Sequence, residues 1–425
     1  MINDESLRAV AEAEWHGPFI KPLYDTYCFS QLPGLIQGAL SGGSKGNSAS
    51  ALLGPLAGQY DKVILFFVDA FGWRFFEQHR DSYPFLSRFA ADGAVTQLTS
   101  QFPSTTAAHV TTIHTGLPVG ESGVYEWFYY EPALDTMIAP LLFSFAGDTT
   151  RNTLQRANVA PSALYPQETF YAGLARRGLR SFVFQHQDYT PSPYGDVVQA
   201  GAELRPFKTM PEALVNLEEA LLAEKGKAYY YLYFDALDTM AHRYGPESPQ
   251  VAAEIDAFFT LLERQFQSGV AGKLKKTLFL LTADHGHTAT DPARTIYLDK
   301  ALPALTPMMK TNAIGQPLVP AGSCRDMFLY ITEEHLDEAQ ERLQSHLAGK
   351  AEVHRVATLM DEGFFGPRPL SPAFLGRIGN LVILANPGES VWWFEKGKFA
   401  QKYRGNHGGL TRAEMEIPLL AQALG

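Results

Sequence analysis

Cysteine is scarce: Cys28 and Cys324 are the two in 425 residues. Two thiols cannot make a disulfide framework, and neither stands in a CxxC pair of the kind that holds zinc or runs redox chemistry. Both are expected to be small buried hydrophobes. Long apolar runs are also missing, since stretches such as Val63 to Val68 fall far short of the roughly 18 residues that span a bilayer. Met1-Ile2-Asn3-Asp4-Glu5-Ser6 carries no basic stretch ahead of an apolar core and does not read as a secretory signal. A cytoplasmic protein without a membrane partner is expected. Basic clusters are absent too: 35 Lys plus Arg face 45 Asp plus Glu, and the net charge of −10 argues against a long nucleic acid as partner. What remains, at 46% hydrophobic and 12% aromatic residues, is the composition of a folded globule. Its length suggests about two domains, at roughly 150 residues each.

Residues 1–60 read as an N-terminal arm of little periodicity, ending in the low-complexity stretch Ser41-Gly42-Gly43-Ser44-Lys45-Gly46-Asn47-Ser48, a flexible loop by composition. Lys62 to Val68 is then a continuous β-branched and aromatic run, as expected of a parallel strand buried on both faces, and Asp69 closes it. The same pattern recurs in Tyr229 to Phe234, followed by Asp238, and in Thr277 to Thr282, followed by Asp284. A helical segment from Glu168 to Arg177 stops at Gly178 ahead of Ser181 to Phe184. Strands alternating with helices give an α/β fold with a mostly parallel central sheet flanked by helices. In such sheets ligands collect at the carboxyl ends of the strands, where these aspartates stand. Residues 61–300 are expected to form that core. Residues 301–380 read as a smaller α+β insertion or cap, with a strand from Asp326 to Ile331, a helix from Glu333 and a strand from Glu352 to Val356. Residues 381–425 read as a return to the core, with strands from Leu381 to Leu384 and Val391 to Phe394.

Taken singly, the chemical residues are ambiguous. Asp69 can cap a helix or bind a cation, and Asp284-His285-Gly286 can be an ordinary turn. His287, two residues on, reads as a supporting residue. Asp238 and His242 have DxxxH spacing, which on a helix presents two ligands to one cation or makes a solvated i, i+4 ion pair. His407 lies in Gly405-Asn406-His407-Gly408-Gly409, where glycines let the backbone bring the imidazole inward. The segment Phe102 to Gly116 starts as a capped helix, yet its threonines give it poor helix propensity. A local rule broken in this way often marks a site. The start of that helix suits an anion such as phosphate.

These motifs follow one another in order: strand-end Asp, Thr at a helix start, DxxxH, DHG and a late GxHG. In that combination the chain resembles the alkaline phosphatase superfamily, and within it the type I phosphodiesterase/nucleotide pyrophosphatase branch, over essentially everything after residue 60. The resemblance implies a hydrolase of phosphate esters with two divalent ions, Zn²⁺ foremost and Mn²⁺ admitted. One ion would be held by Asp69, Asp284, His285 and the nucleophile, the other by Asp238, His242 and His407. The family's nucleophilic threonine lies ten residues before the glycine of a TG pair, which points to Thr106 rather than Thr105. A phosphothreonine intermediate is implied. The place three residues after the nucleophile, where the branch commonly has an asparagine that binds a phosphate oxygen, is taken by His109, which becomes the candidate substrate-binding residue.

That departure leaves two readings, a phosphodiesterase/nucleotide pyrophosphatase and a phosphomonoesterase. No counterpart of the phosphate-binding arginine of true alkaline phosphatases is evident, which favours diesters, with Arg325 and Arg404 as candidate replacements. A sulfatase is disfavoured because the nucleophile segment has neither a CxPxR-type motif nor a cysteine. Glu126-Trp127-Phe128-Tyr129-Tyr130 falls where related diesterases hold aromatic residues that stack on a base, and can equally be a core or rim strand. A non-catalytic metal-binding protein is the competing class. The expected partner is a small phosphate ester or nucleotide.

Overall fold

The computed structural model describes residues 1–42 and 48–425. Lys62–Val68, buried beyond Lys62, lies at the centre of a seven-stranded sheet. Across the sheet the order is Ala94–Thr99, Glu416–Leu424, Thr277–Thr282, Lys62–Val68, Ala228–Phe234, Arg180–His186, Glu203–Phe207. All pairings are parallel except those of Glu416–Leu424, which is antiparallel to both neighbours. Apolar runs without alternation form the three central strands because both faces of the sheet are covered there, while the edge strand Glu203–Phe207 is polar and partly exposed. Register sets the site: Val68 pairs with Phe234 and Phe67 with Thr282, so the three central strands end level. Asp69, the helix carrying Asp238, and Asp284 therefore leave the sheet along one edge.

Residues 1–42 of the segment read as an N-terminal arm pack against the core. Helix Asp4–Ala11 precedes a chain that bridges Phe19 to Thr411 and Cys28 to Thr99, and the Asn3 N–H donates to Val95 O at 2.9 Å. Helix Leu32–Ser41 buries Leu32, Leu35, Ile36 and Leu40, an i, i+3, i+4, i+8 stripe, in the main core. Ser41 ends that helix and Gly42 caps it at φ 73°. Residues 43–47 of the low-complexity stretch lie outside the described residues.

The smaller unit is a three-stranded antiparallel sheet in the order Asp326–Leu329, Leu381–Ala385, Ala351–Arg355. Leu381–Ala385 is thus its central strand, whereas the sequence grouped that segment with the return to the core. Side chains alternate across it. Met327, Leu329 and Ile383 join Leu343 of helix Leu336–His346 in a separate core, while Phe328, Val382 and Leu384 face the main core. Among the described residues no helix is long and apolar enough to cross a membrane.

Candidate active site

Asp69 leaves its strand through Ala70, whose φ of 64° is left-handed and costs a non-glycine residue about 1–3 kcal/mol. The Ala70 N–H donates to Asp284 Oδ1 at 3.1 Å, which ties this turn to the Asp284-His285-Gly286 loop. The two loops touch through glycines: a Cβ on Gly72 would stand 2.6 Å from Gly286 Cα. Gly286 itself lies outside the left-handed region, so its use is close approach rather than the turn conformation that the DHG motif suggests.

Helix Thr106–Thr115 begins above this junction. Thr105 is its N-cap, accepting from the Ala108 N–H at 3.5 Å and donating to Tyr125 O at 3.0 Å. Thr106, one residue on, faces the carboxylates. Its Oγ1 is 3.5 Å from Asp69 Oδ2 and 3.3 Å from His285 Nε2. His285 Nε2 is in turn 3.4 Å from Asp69 Oδ1 and 3.2 Å from Asp284 Oδ2.

A second cluster adjoins the first, with the His407 and His285 rings stacked at 3.5 Å between centroids. Asp238 Oδ1 lies 3.4 Å from His242 Nε2 and 3.6 Å from His407 Nε2, and those two nitrogens are 3.2 Å apart. Ligand atoms at about 2.0–2.1 Å from a tetrahedral cation are separated by about 3.3 Å, so both clusters have the spacing of ligand sets. The imidazoles are oriented for it. Nδ1–H of His242 donates to Gly405 O at 2.7 Å, that of His407 to Ser104 O at 2.9 Å, and that of His285 to Gly286 O at 3.1 Å. Each Nε2 is thereby left as the lone-pair donor. Buried Asp69 Oδ1 and Asp284 Oδ2 have no hydrogen-bond partner. Burial, then the Asp284 and Asp238 carboxylates, push the Asp69 carboxyl up, a repulsion that bound cations would reverse.

All seven residues read from the motifs thus meet at one place. His109 does not. Three residues after Thr106 the helix has turned it away from the face that Thr106, Ala107 and Val110 present, and it is fully buried. The Gln101 N–H donates to its Nε2 at 3.0 Å, so Nδ1 carries the proton and donates to Thr105 O at 2.7 Å. Burial pushes its pKa down to about 4. His109 braces the Thr105 cap and has no free nitrogen for substrate.

Arg325 is also turned inward. It is fully buried and grips Glu414 bidentately, with Nε and Nη2 both at 2.9 Å from its oxygens. Glu414 accepts from the Gly286 N–H at its carbonyl (2.9 Å) and from the Gly409 N–H at Oε1 (3.1 Å), so the pair holds two of the site's loops from beneath. Arg404 is exposed. Neither arginine lines the cleft.

Two residues support the carboxylates: Tyr233, which the motifs left out, and His287, read from the sequence as a supporting residue. The Tyr233 hydroxyl donates to Asp69 Oδ2, and His287 Nε2–H donates to Asp238 Oδ1 at 2.8 Å. The period of two along Ala228–Phe234 put Tyr231 and Tyr233 on one face at the carboxyl end, a signal that was available. The site forms the floor of a cleft of about 570 Å³. Trp127, Phe128, Trp392, Phe399 and Tyr403 line one side, and Trp127 is 40% exposed there. Arg151 also lines the cleft, with its guanidinium 5.1 Å from the Tyr189 ring centroid.

The fold has solved counterparts. Murine ectonucleotide pyrophosphatase/phosphodiesterase 5 is 19% identical with a TM-score of 0.62, over 85% of this chain and 88% of that one. The human form is 19% identical with a TM-score of 0.63, over 85% and 87%. Phosphonoacetate hydrolase from Sinorhizobium meliloti 1021, in complex with phosphonoformate, is 18% identical with a TM-score of 0.57, over 85% and 90%. The murine protein is also known as an inactive variant in complex with AMP. No curated protein sequence matches significantly. Residues 63–410 match the family model described as type I phosphodiesterase / nucleotide pyrophosphatase. With the strand-end carboxylates, the threonine-led helix and the α/β sheet that carries them, this match means that the chain belongs to the type I phosphodiesterase/nucleotide pyrophosphatase family, within the alkaline phosphatase superfamily.

Proposed function

We propose that the protein hydrolyses small phosphodiesters or nucleotide pyrophosphates with Thr106 as nucleophile. The observation that carries this reading is the position of Thr106 Oγ1, at a helix start and between Asp69 Oδ2 (3.5 Å) and His285 Nε2 (3.3 Å). Two divalent cations, Zn²⁺ or Mn²⁺, would be held by Asp69, Thr106, Asp284 and His285 and by Asp238, His242 and His407, and would lower the hydroxyl pKa and offset phosphoryl charge. Asp69 Oδ2 accepts the hydrogen bond of the Thr106 hydroxyl, and Tyr233 holds that carboxylate in place. The first amides of the helix, at Thr106 and Ala107, have no intrahelical acceptor and face a phosphoryl oxygen. Attack by Thr106 Oγ1 on phosphorus forms a phosphothreonine and expels one ester alcohol or nucleotide phosphate in line. Water then cleaves the Oγ1–P bond, restores the hydroxyl and releases a phosphate monoester.

Diesters are preferred to monoesters in this reading because no guanidinium is fixed at the phosphoryl position. Arg325 is committed to Glu414, and Arg151 stands against Tyr189. A monoester carries one more negative charge and has no such partner here. The aromatic side of the cleft, with Trp127 exposed, suits a flat group such as a nucleobase.

The test compares release of p-nitrophenol from bis(p-nitrophenyl) phosphate and p-nitrophenyl phosphate by the metal-loaded protein. A higher kcat/KM on the diester is expected, and loss of activity in EDTA with recovery on adding Zn²⁺ or Mn²⁺. Thr106→Ala should fall to the background rate. Retained turnover by that variant would reject the nucleophile.

A further inference from the structure

From Thr106 the cleft continues along one face of helix Thr106–Thr115, past Ala107 and Val110 to His114. Eight residues at 1.5 Å each make this wall about 12 Å long. An ester arm laid along it reaches an end wall of Gln185, Gln199 and Tyr231, each less than a tenth exposed.

The polarity of that end wall is fixed by a chain of hydrogen bonds. Gln185 Nε2 donates to Tyr189 O at 3.4 Å and to the Thr190 hydroxyl, which turns Gln185 Oε1 toward Gln199. Gln199 Nε2 then donates to Gln185 Oε1 at 2.8 Å and to His114 Nε2 at 3.2 Å. With Nε2 accepting, His114 Nδ1–H donates to the Tyr171 hydroxyl at 2.7 Å. Both protons of the Gln199 amide are therefore used, and its Oε1 is buried without a partner, as is the Tyr231 hydroxyl. Gly195 presents no side chain over this oxygen: a Cβ there would stand 3.1 Å from Gln199 Oε1. A buried carbonyl left unpaired is unfavourable until a donor meets it. The wiring leaves Gln199 an acceptor alone.

We propose that Gln199 is a specificity-determining residue of the diesterase described above, its Oε1 accepting a hydrogen bond from an N–H or O–H group at the far end of the ester arm. Arms of that length that end in an apolar edge are rejected there because the Gln199 carbonyl stays unpaired, and an arm that ends only in an acceptor meets the Tyr231 hydroxyl but likewise leaves that carbonyl unpaired. The inference rests on the diesterase reading.

Two probes differing in one donor test it: the p-nitrophenyl 5′-esters of adenosine monophosphate and of purine riboside monophosphate, which lacks the exocyclic amine. The wild-type protein should cleave the adenosine probe with a kcat/KM about tenfold or more above that of the purine riboside probe. Gln199→Leu should bring the ratio to within about twofold of one. A purely structural role for Gln199 would lower both rates and leave the ratio standing, which would overturn the proposal. A wild-type ratio near one would also overturn it, as would no turnover of either nucleoside probe by protein that cleaves bis(p-nitrophenyl) phosphate. Failure to cleave that last compound would instead reject the diesterase reading. If Gln199→Leu does not fold, the ratio is read in Gly195→Ala, whose Cβ covers the oxygen without altering the donors; the ratio should collapse there too, and its persistence would reject the assignment.

Discussion

Gly72→Ala puts one methyl group between the two loops that carry Asp69 and the Asp284-His285 pair. The new Cβ would lie 2.6 Å from Gly286 Cα, 3.2 Å from Gly286 N and 3.4 Å from Glu416 O, all backbone atoms that cannot rotate away. Carbon atoms rest at about 3.5–4.0 Å, so the loops must part by about 1 Å. Gly72 has φ −62° and ψ 168°, which alanine adopts freely, so the effect is steric and not conformational. Overpacking of this kind costs about 1–3 kcal/mol of stability. The larger effect falls on chemistry, because a misplacement of about 1 Å at a reacting centre costs roughly 10²-fold. Metal ligands tolerate displacements of only about 0.2 Å, so the first cation should also bind more weakly. The assay is kcat/KM on bis(p-nitrophenyl) phosphate at saturating metal, beside bound-metal analysis and urea unfolding. Gly173→Ala is the control, since Gly173 has open space around it within helix Phe170–Ala175 and alanine there should stabilise by about 0.5–1 kcal/mol. Wild-type kinetics and metal content in Gly72→Ala would refute the claim that glycine contact between these loops sets the site.

Arg325→Met should destabilise the protein by about 3–5 kcal/mol in urea unfolding, because it leaves the fully buried Glu414 carboxylate without its partner. Adding Glu414→Leu should recover a large part of that loss; a raised KM at unchanged stability would instead place Arg325 on the substrate. Acid should weaken the fold through His109 and His114, whose pKa values burial lowers from 6.5 to about 4 and about 3. Because the unfolded chain binds these protons first, their contribution is present above about pH 6.5 and is lost as pH falls toward 4. Denaturation midpoints at pH 8, 6.5 and 5 measure this, and no decline would contradict the buried neutral imidazoles. His109→Asn should lower stability while leaving KM for bis(p-nitrophenyl) phosphate within about twofold. A large KM change alone would return His109 to the substrate.

Lys62–Val68, Ala228–Phe234, Thr277–Thr282 and the middle of Arg180–His186 were legible because their residues are apolar without alternation, as in a sheet covered on both faces. Ala94–Thr99, Glu203–Phe207 and Glu416–Leu424 mix polar residues or proline into the run and were not legible. The N-terminal segment was not legible either. Its apolar residues are scattered between Phe19 and Phe29, and they find their places against Thr99 and Thr411, far along the chain. Leu381–Ala385 carries no mark in sequence of which sheet it joins. Its neighbours Asp326–Leu329 and Ala351–Arg355 decide that, through pairing partners many residues away.

For the site, the order of the motifs brought Asp69, Asp238, His242, Asp284, His285 and His407 forward as candidates that stayed ambiguous one by one, and the resemblance to the family supplied the ligand set and the choice of Thr106. Which way a side chain turns is a different matter. His109 and Arg325 have the chemistry to bind phosphate, but helix phase buries the first against the Gln101 amide and a bidentate carboxylate claims the second. Thr105 and Thr106 are identical in composition and adjacent in sequence. Only the position of the helix start makes one the cap and turns the other toward Asp69 and His285. The contact of Gly72 with Gly286 and the single unpaired oxygen of Gln199 depend on residues from separate strands and loops, so they exist only once the chain is packed.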